Sequence, residues 1–183
     1  MSARVHLIAA SACMLLAGCS AQDARDKPVA LTSDAAIGTV AAAIAGSGNH
    51  RKLAMALSDT QLSPVLDGKS AYTLLAPNDD AFAALGSKGT ALAGSDQRPL
   101  MIAVLRGHIL PGQITPKAIE AALARKQGPV AMRTMAGGTV RFSKTAKGIT
   151  VTSGPQTATL SNESTTASNG AILPIDKVLL PAS

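Results

Sequence analysis

Two hydrophobic periods divide the chain near Pro129. Before it, apolar residues recur every three or four positions and predict helices; after it they alternate and predict strands. Ser33 or Asp34 is placed to cap an Ala-rich helix from Ala35 to Ala45, whose Ile37, Val40, Ala41 and Ile44 share one face. Gly46-Ser47-Gly48-Asn49 stops it, and a second helix is expected from Lys52 to Leu57 with Leu53, Ala54 and Leu57 inward. Leu62 to Leu66 is a third short piece, with Pro64 tolerated in a first turn. The apolar run Ala71 to Ala76, bounded by Gly68 and Pro77, predicts a buried strand, and Asn78 or Asp79 caps a helix from Asp80 to Leu85. Two more helices are expected, over Pro99 to Arg106 and from Thr115-Pro116 to about Lys126.

Beyond Pro129, the alternation predicts strands at Val130–Met135, Thr139–Ser143, Ile149–Thr152 and Thr157–Leu160. Gly137-Gly138 and Lys147-Gly148 supply their hairpin turns. The run Ala171 to Leu180 is mostly apolar, as a central strand should be, although Pro174 inside it points to a bulge or an edge. No solenoid-length repeat is present, so the pattern predicts one α+β domain.

The N-terminus reads differently. Arg4 and Val5 precede an apolar run from Leu7 to Leu16, too short to span a bilayer but suited to a cleaved export signal. It ends in Leu16-Ala17-Gly18-Cys19, which resembles a lipobox. The expectation is a signal peptide over residues 1–18, cleavage between Gly18 and Cys19, lipidation of Cys19, and a tether over residues 19–33. Two or three acyl chains would anchor the protein firmly, since each buried methylene contributes about 0.8 kcal/mol. Ser20, not aspartate, follows the cysteine, which favours the outer membrane over the inner one. The localisation expected is therefore extracytoplasmic, lipid-anchored to a bacterial membrane, in the periplasm or on the surface.

Composition narrows the chemistry. The cysteines are Cys13 and Cys19, so cleavage and lipidation leave no thiol for a disulfide, a zinc-thiolate site or a nucleophile. Roughly 150 residues suffice to bury a core without such supports. Tyr72, Phe82 and Phe142 are the aromatic residues, too few for a nucleic-acid stacking platform. The net charge of +6 is local: Arg106, Lys117, Arg125, Lys126, Arg133, Arg141, Lys144 and Lys147 face the single acid Glu120 across that segment. Arg125, Lys126, Arg133, Arg141, Lys144 and Lys147 are candidate anion-binding residues for headgroups, lipopolysaccharide phosphates or acidic polysaccharide, against a plain solvated face.

Three segments in order then resemble the fasciclin (FAS1) domain over residues 34–182. They are Tyr72 to Phe82 (YTLLAPNDDAF), Leu105 to Gly112 (LRGHILPG) and Ser168 to Pro181 (SNGAILPIDKVLLP). The resemblance implies a β-sandwich wedge with packed helices, no cofactor and no metal, and an adhesive, non-enzymatic role with a protein or polysaccharide partner. It assigns structural roles to Pro77, Asn78, Phe82, His108, Asn169, Gly170 and Asp176. Gly107 stands where the family usually has tyrosine, and Ser164-Thr165 where animal members carry the Asp-Ile pair of integrin recognition, so integrin binding does not carry over.

His108 is the most tempting catalyst or ligand, but two histidines without thiols make a poor metal set. Asp79, Asp80 and Asp176 suggest paired carboxylates, yet helix capping accounts for the first two. No Gly-x-Ser-x-Gly, phosphate loop or His-Glu-x-x-His motif is present. The expected function is a membrane-anchored binding or adhesion module. The alternative is a periplasmic carrier or sensor of a small ligand in a groove between helices and sheet.

Overall fold

Alternation after Pro129 and continuous apolar runs elsewhere become two different sheets. The computed structural model describes residues 38–92 and 94–181. Helices α1 (Val40–Ala45), α2 (Arg51–Asp59) and α3 (Ser63–Asp67) lead into strand β1 (Tyr72–Pro77). Then follow α4 (Asp79–Ala83), α5 (Ser87–Leu92), α6 (Arg98–Gly107), β2 (Ile109–Pro111) and α7 (Pro116–Lys126). The chain closes with β3 (Val130–Arg133), β4 (Thr139–Thr145), β5 (Gly148–Ser153), β6 (Gln156–Thr159), β7 (Thr165–Ala167) and β8 (Gly170–Ile175). One sheet has the order β2-β1-β8-β7, the other β3-β4-β5-β6. In the first, β1 and β8 run parallel and in register from Tyr72↔Gly170 to Pro77↔Ile175, the geometry of strands far apart in sequence. The second is an antiparallel meander.

The central strands β1 and β8 of the first sheet are buried on both faces, which is why they read as apolar runs. Leu74, Ala76, Ile109 and Ile172 pack with Val40, Ile44, Leu53, Leu57 and Leu66 of the helices. From the opposite face, Leu75, Leu110, Leu173 and Ile175 join Val140, Phe142, Val151 and Ala158 of the second sheet, together with Ile119 and Leu123 of α7. The second sheet thus has one face in the core and one in solvent. Gly137 and Gly148 adopt φ of 83° and 110° in its turns, a region that side chains disfavour. The α+β sandwich with packed helices expected from the sequence is what the chain forms.

Several boundaries differ. The N-terminal helix begins at Val40, capped by Thr39 Oγ1, which accepts from the Ala42 amide at 3.2 Å, with non-helical Gly38 before it. The Ser33 or Asp34 cap expected there lies outside the described residues. On α2 it is Ala56 and not Ala54 that is buried beside Leu53 and Leu57. The final strand ends at Ile175 instead of Leu180, because Asp176 turns back to β6. Pro174 lies inside β8, but β7 pairs only with Gly170 to Ile172, so no β7 residue needs an amide from Pro174; its carbonyl accepts from Ser161 at 2.8 Å, next to the single bridge Leu160↔Ile175.

Candidate functional site

His108 closes α6 and enters the core at 1% exposure. Leu179 donates its amide to Nε2 at 3.0 Å, so the proton sits on Nδ1, which donates to the Val104 carbonyl at 2.8 Å. Both ring nitrogens are occupied by backbone, and burial pushes the imidazole down to about 4. This is a neutral scaffold histidine that staples α6 to the C-terminal segment.

Asn169 is a second staple. Its Oδ1 accepts from Val40 at 2.8 Å, and its Nδ2 donates to the carbonyls of Leu66 and Gly68 at 2.8 and 2.7 Å. It thereby joins the start of α1 to the end of α3. Gly170 follows because nothing larger fits: a Cβ there would lie 1.9 Å from the Tyr72 carbonyl oxygen. Pro77 is buried at the end of β1, and Phe82 packs partly buried against the helices.

Two of the three carboxylates, Asp79 and Asp176, are also engaged. Asn78 caps α4 by accepting from Ala81 at 2.8 Å. Asp79 does not serve its own helix, as the sequence suggested, but reaches α2, whose N-terminus has no side-chain cap of its own. It accepts from the Lys52 amide at 2.8 Å and pairs with Arg51 at 3.6 Å. Partial burial opposes its charge, yet the amides of Lys52 and Arg51 and the Arg51 guanidinium outweigh that and hold the carboxyl below its usual range. Asp176 ties the sheets together: it accepts from the Thr159 amide at 2.6 Å, and its own amide donates to the Thr159 carbonyl at 3.2 Å. Asp80 is exposed in the first turn of α4.

Sequence reasoning missed Thr73 and His50. Thr73 is fully buried, donates to the Gly112 carbonyl and accepts from Ile114, each at 2.7 Å. His50, 8% exposed, bonds Ser47 through Nδ1 at 2.8 Å; desolvation lowers its pKa, though Asp79 and the Ala76 carbonyl oppose the shift. Their partners lie in loops without a pattern.

The basic residues do not share one surface. Arg125 and Lys126 end α7, which covers the core side of the second sheet, where they suit the negative end of the helix. Lys144 and Lys147 are exposed at the β4–β5 turn. Arg133 and Arg141 alone project from the solvent face, because their neighbours Met132, Val140 and Phe142 point to the core. That face forms cross-strand rows: Arg133↔Thr139, then Arg141↔Thr152↔Thr157, then Ser143↔Thr150↔Thr159. Thr152 and Thr157 share a hydroxyl hydrogen bond of 2.9 Å. Gly18 and Cys19 lie outside the described residues. Among the described residues no helix is long and apolar enough to cross a membrane.

A groove of about 860 Å³ lies among α2, α4, α5 and α6, and its walls include Met55, Phe82, Leu92 and Met101. It opens among helices; a smaller hollow of about 270 Å³ lies between the starts of α2 and α4 and the strands β6 and β8.

Comparison with known proteins gives a consistent picture. The Fasciclin domain profile matches residues 48–181. Protein sll1483 of Synechocystis sp. (strain ATCC 27184 / PCC 6803 / Kazusa) is 30% identical over 146 residues, 78% of this chain and 73% of that protein. Transforming growth factor-beta-induced protein ig-h3 of Sus scrofa is 30% identical over 131 residues, covering 72% of this chain but 18% of its own length. The structure of a FAS1 domain pair from the insect cell adhesion molecule fasciclin I shares the fold, with a TM-score of 0.69 at 16% identity over 78% of this chain and 51% of that one.

Proposed function

Since the chain belongs to the Fasciclin domain family, we propose that it is a non-enzymatic, extracytoplasmic binding and adhesion module, tethered to a bacterial membrane by lipid on Cys19. One observation carries the non-enzymatic part: His108, Asp79 and Asp176, three of the residues that look catalytic, already serve the structure. Both nitrogens of His108 are bonded to backbone, and Asp79 and Asp176 accept backbone amides on α2 and β6. A general acid or base needs a free atom facing substrate; both ring nitrogens of His108 and both carboxylate oxygens of Asp79 are already taken. The anchor rests on the short apolar run ending in Leu16-Ala17-Gly18-Cys19. A lipid-held domain is confined to the membrane surface, where weak contacts act repeatedly and add up.

Metabolic labelling with palmitate tests the anchor. The full chain should incorporate label and pellet with membranes, whereas Cys19→Ser should lose the label and appear in the aqueous fraction. Attachment of intact cells to a polymer-coated surface tests adhesion, and removal of the chain should reduce it. Unlabelled protein that is soluble with Cys19 intact would refute the anchor, and unchanged attachment would refute adhesion.

The groove among α2, α4, α5 and α6 favours a second reading, a carrier of a small apolar ligand. Its lining sets Met55, Phe82, Leu92 and Met101 beside Lys52, Asp59 and Arg98, and Met55, an adaptable side chain, is 65% exposed. Native mass spectrometry of the purified chain separates the two, since a copurifying small molecule supports the carrier.

A further inference from the structure

We infer that the solvent face of the β3–β6 sheet is a binding surface for a linear acidic polysaccharide, held by Arg133 and Arg141 over a platform of threonine hydroxyls. This deepens the adhesion reading and rests on it.

Charge complementarity is the first argument. No acid occurs between Glu120 and Glu163, so every strand of this sheet is free of carboxylates. Arg133 and Arg141 are exposed, and neither has an ion-pair partner among the described residues. Asp176, which reaches the β6 edge, accepts the Thr159 amide at its Oδ1. Two guanidinium groups therefore stand over a face with no strand carboxylate to neutralise them.

Spacing is the second. Arg133 pairs with Thr139, two residues before Arg141 on β4, so the two arginines are diagonal neighbours, about 7–8 Å apart along the sheet and somewhat closer at their Cβ atoms. Long arginine side chains on such neighbouring positions can take carboxylates from neighbouring sugars of one chain, each guanidinium through two parallel hydrogen bonds. Beside them the row Arg141–Thr152–Thr157 crosses three strands, roughly 10 Å, and the Thr152–Thr157 bond fixes two hydroxyls in advance. Threonines on a pleated sheet lose little freedom on binding and present donors and acceptors suited to sugar hydroxyls.

The chemistry of the face argues against other occupants. A membrane surface is held by inserted apolar area, and this face has only Ala131 to insert. The core of a protein interface is enriched in aromatic residues, and single-stranded nucleic acid needs aromatic stacking; the strands' one aromatic, Phe142, is turned into the core.

The test is affinity electrophoresis of the full chain in neutral detergent, through gels containing polygalacturonate or uncharged dextran. Polygalacturonate should retard the protein and dextran should not. Raising salt from about 50 to 500 mM should weaken retardation at least about 5-fold. Arg133→Gln and Arg141→Gln should each weaken it about 5- to 10-fold, and Thr157→Val about 2-fold. Lys117→Gln, on α7 away from this face, should not change it. Absence of retardation, retention in the arginine variants, or equal displacement by phosphatidylglycerol in the micelles would overturn the inference. If cells still attach while polygalacturonate fails, this assignment falls and the adhesion reading stands.

Discussion

The two sheets share a core and differ in what they leave free. In the β2-β1-β8-β7 sheet the central strands β1 and β8 are packed on both faces, and the side-chain polar atoms of Asn169 and His108 are all bonded within the protein, while Gly170 is closely covered. In the β3-β4-β5-β6 sheet one face carries Val140, Phe142 and Val151 into the core while the other shows hydroxyls and guanidinium groups to water. The recognisable motif residues therefore maintain the scaffold, and the recognition proposed above would fall to a face whose residues are free of that duty. For a binding module this division matters, because the outer face can vary without loss of the fold.

The sharpest way to break the contrast is at Gly170. A methyl there would sit against the Tyr72 carbonyl and Val40, both parts of the packed interior, so β1 and β8 would have to separate. Gly170→Ala should destabilise by roughly 3–5 kcal/mol, seen as a fall in the urea midpoint or as failure to accumulate folded protein. A midpoint within experimental error of the parent would mean that the close approach is not needed.

Acid should attack the same region. The His108 imidazole has a folded pKa of about 4, well below the ordinary 6.5, because burial disfavours its charge. As pH falls below about 6.5 the unfolded chain binds a proton that the folded chain refuses, so stability complete above that pH declines toward pH 4, by about 3 kcal/mol. Urea midpoints at pH 7, 6, 5 and 4.5 read the decline. His108→Gln, which cannot titrate, should start less stable and show a shallower slope; His50, also lowered, keeps the slope from vanishing. Parallel slopes in the two proteins would remove His108 as the source.

Which parts were legible follows from how far each signal reaches along the chain. Strands β1 and β8 announced themselves because burial on both faces demands an uninterrupted apolar run, and β3 to β6 because burial on one face demands alternation. Strands β2 and β7, three residues each, are too short to show either pattern. Helix α5 was missed because only Leu92 in it is buried and Gly89 weakens its helical signal. Motif residues could be named by resemblance, but their partners could not: Leu179 is 71 residues from His108, and Val40 is 129 residues from Asn169. The threonine rows were present in the alternation, yet their register, and with it the placement of Arg133 beside Arg141, needed the sheet.

A smaller effect sharpens the contrast from within α6. Gly107, in the place of the family's tyrosine, is the last residue of that helix; a Cβ there meets nothing within 4 Å, and its φ is not positive. Gly107→Ala should therefore stabilise by about 0.5–1 kcal/mol, by limiting the unfolded chain and favouring the helix. A loss of stability would show that the position depends on glycine for a reason other than space.

The smallest effect belongs to the outer face itself. Arg133 and Arg141 are exposed and without ion pairs among the described residues, so the double variant Arg133→Gln/Arg141→Gln removes no packing and leaves no buried group unpaired. Its urea midpoint should move by no more than about 0.5 kcal/mol in either direction. Lower mutual repulsion between the two cations would place the change on the stabilising side, and added salt should shrink it. Such a result makes loss of polygalacturonate binding in the same variant a loss of recognition and not of fold. A drop of 2 kcal/mol or more would instead make the arginines part of the scaffold and erase the distinction between the two sheets.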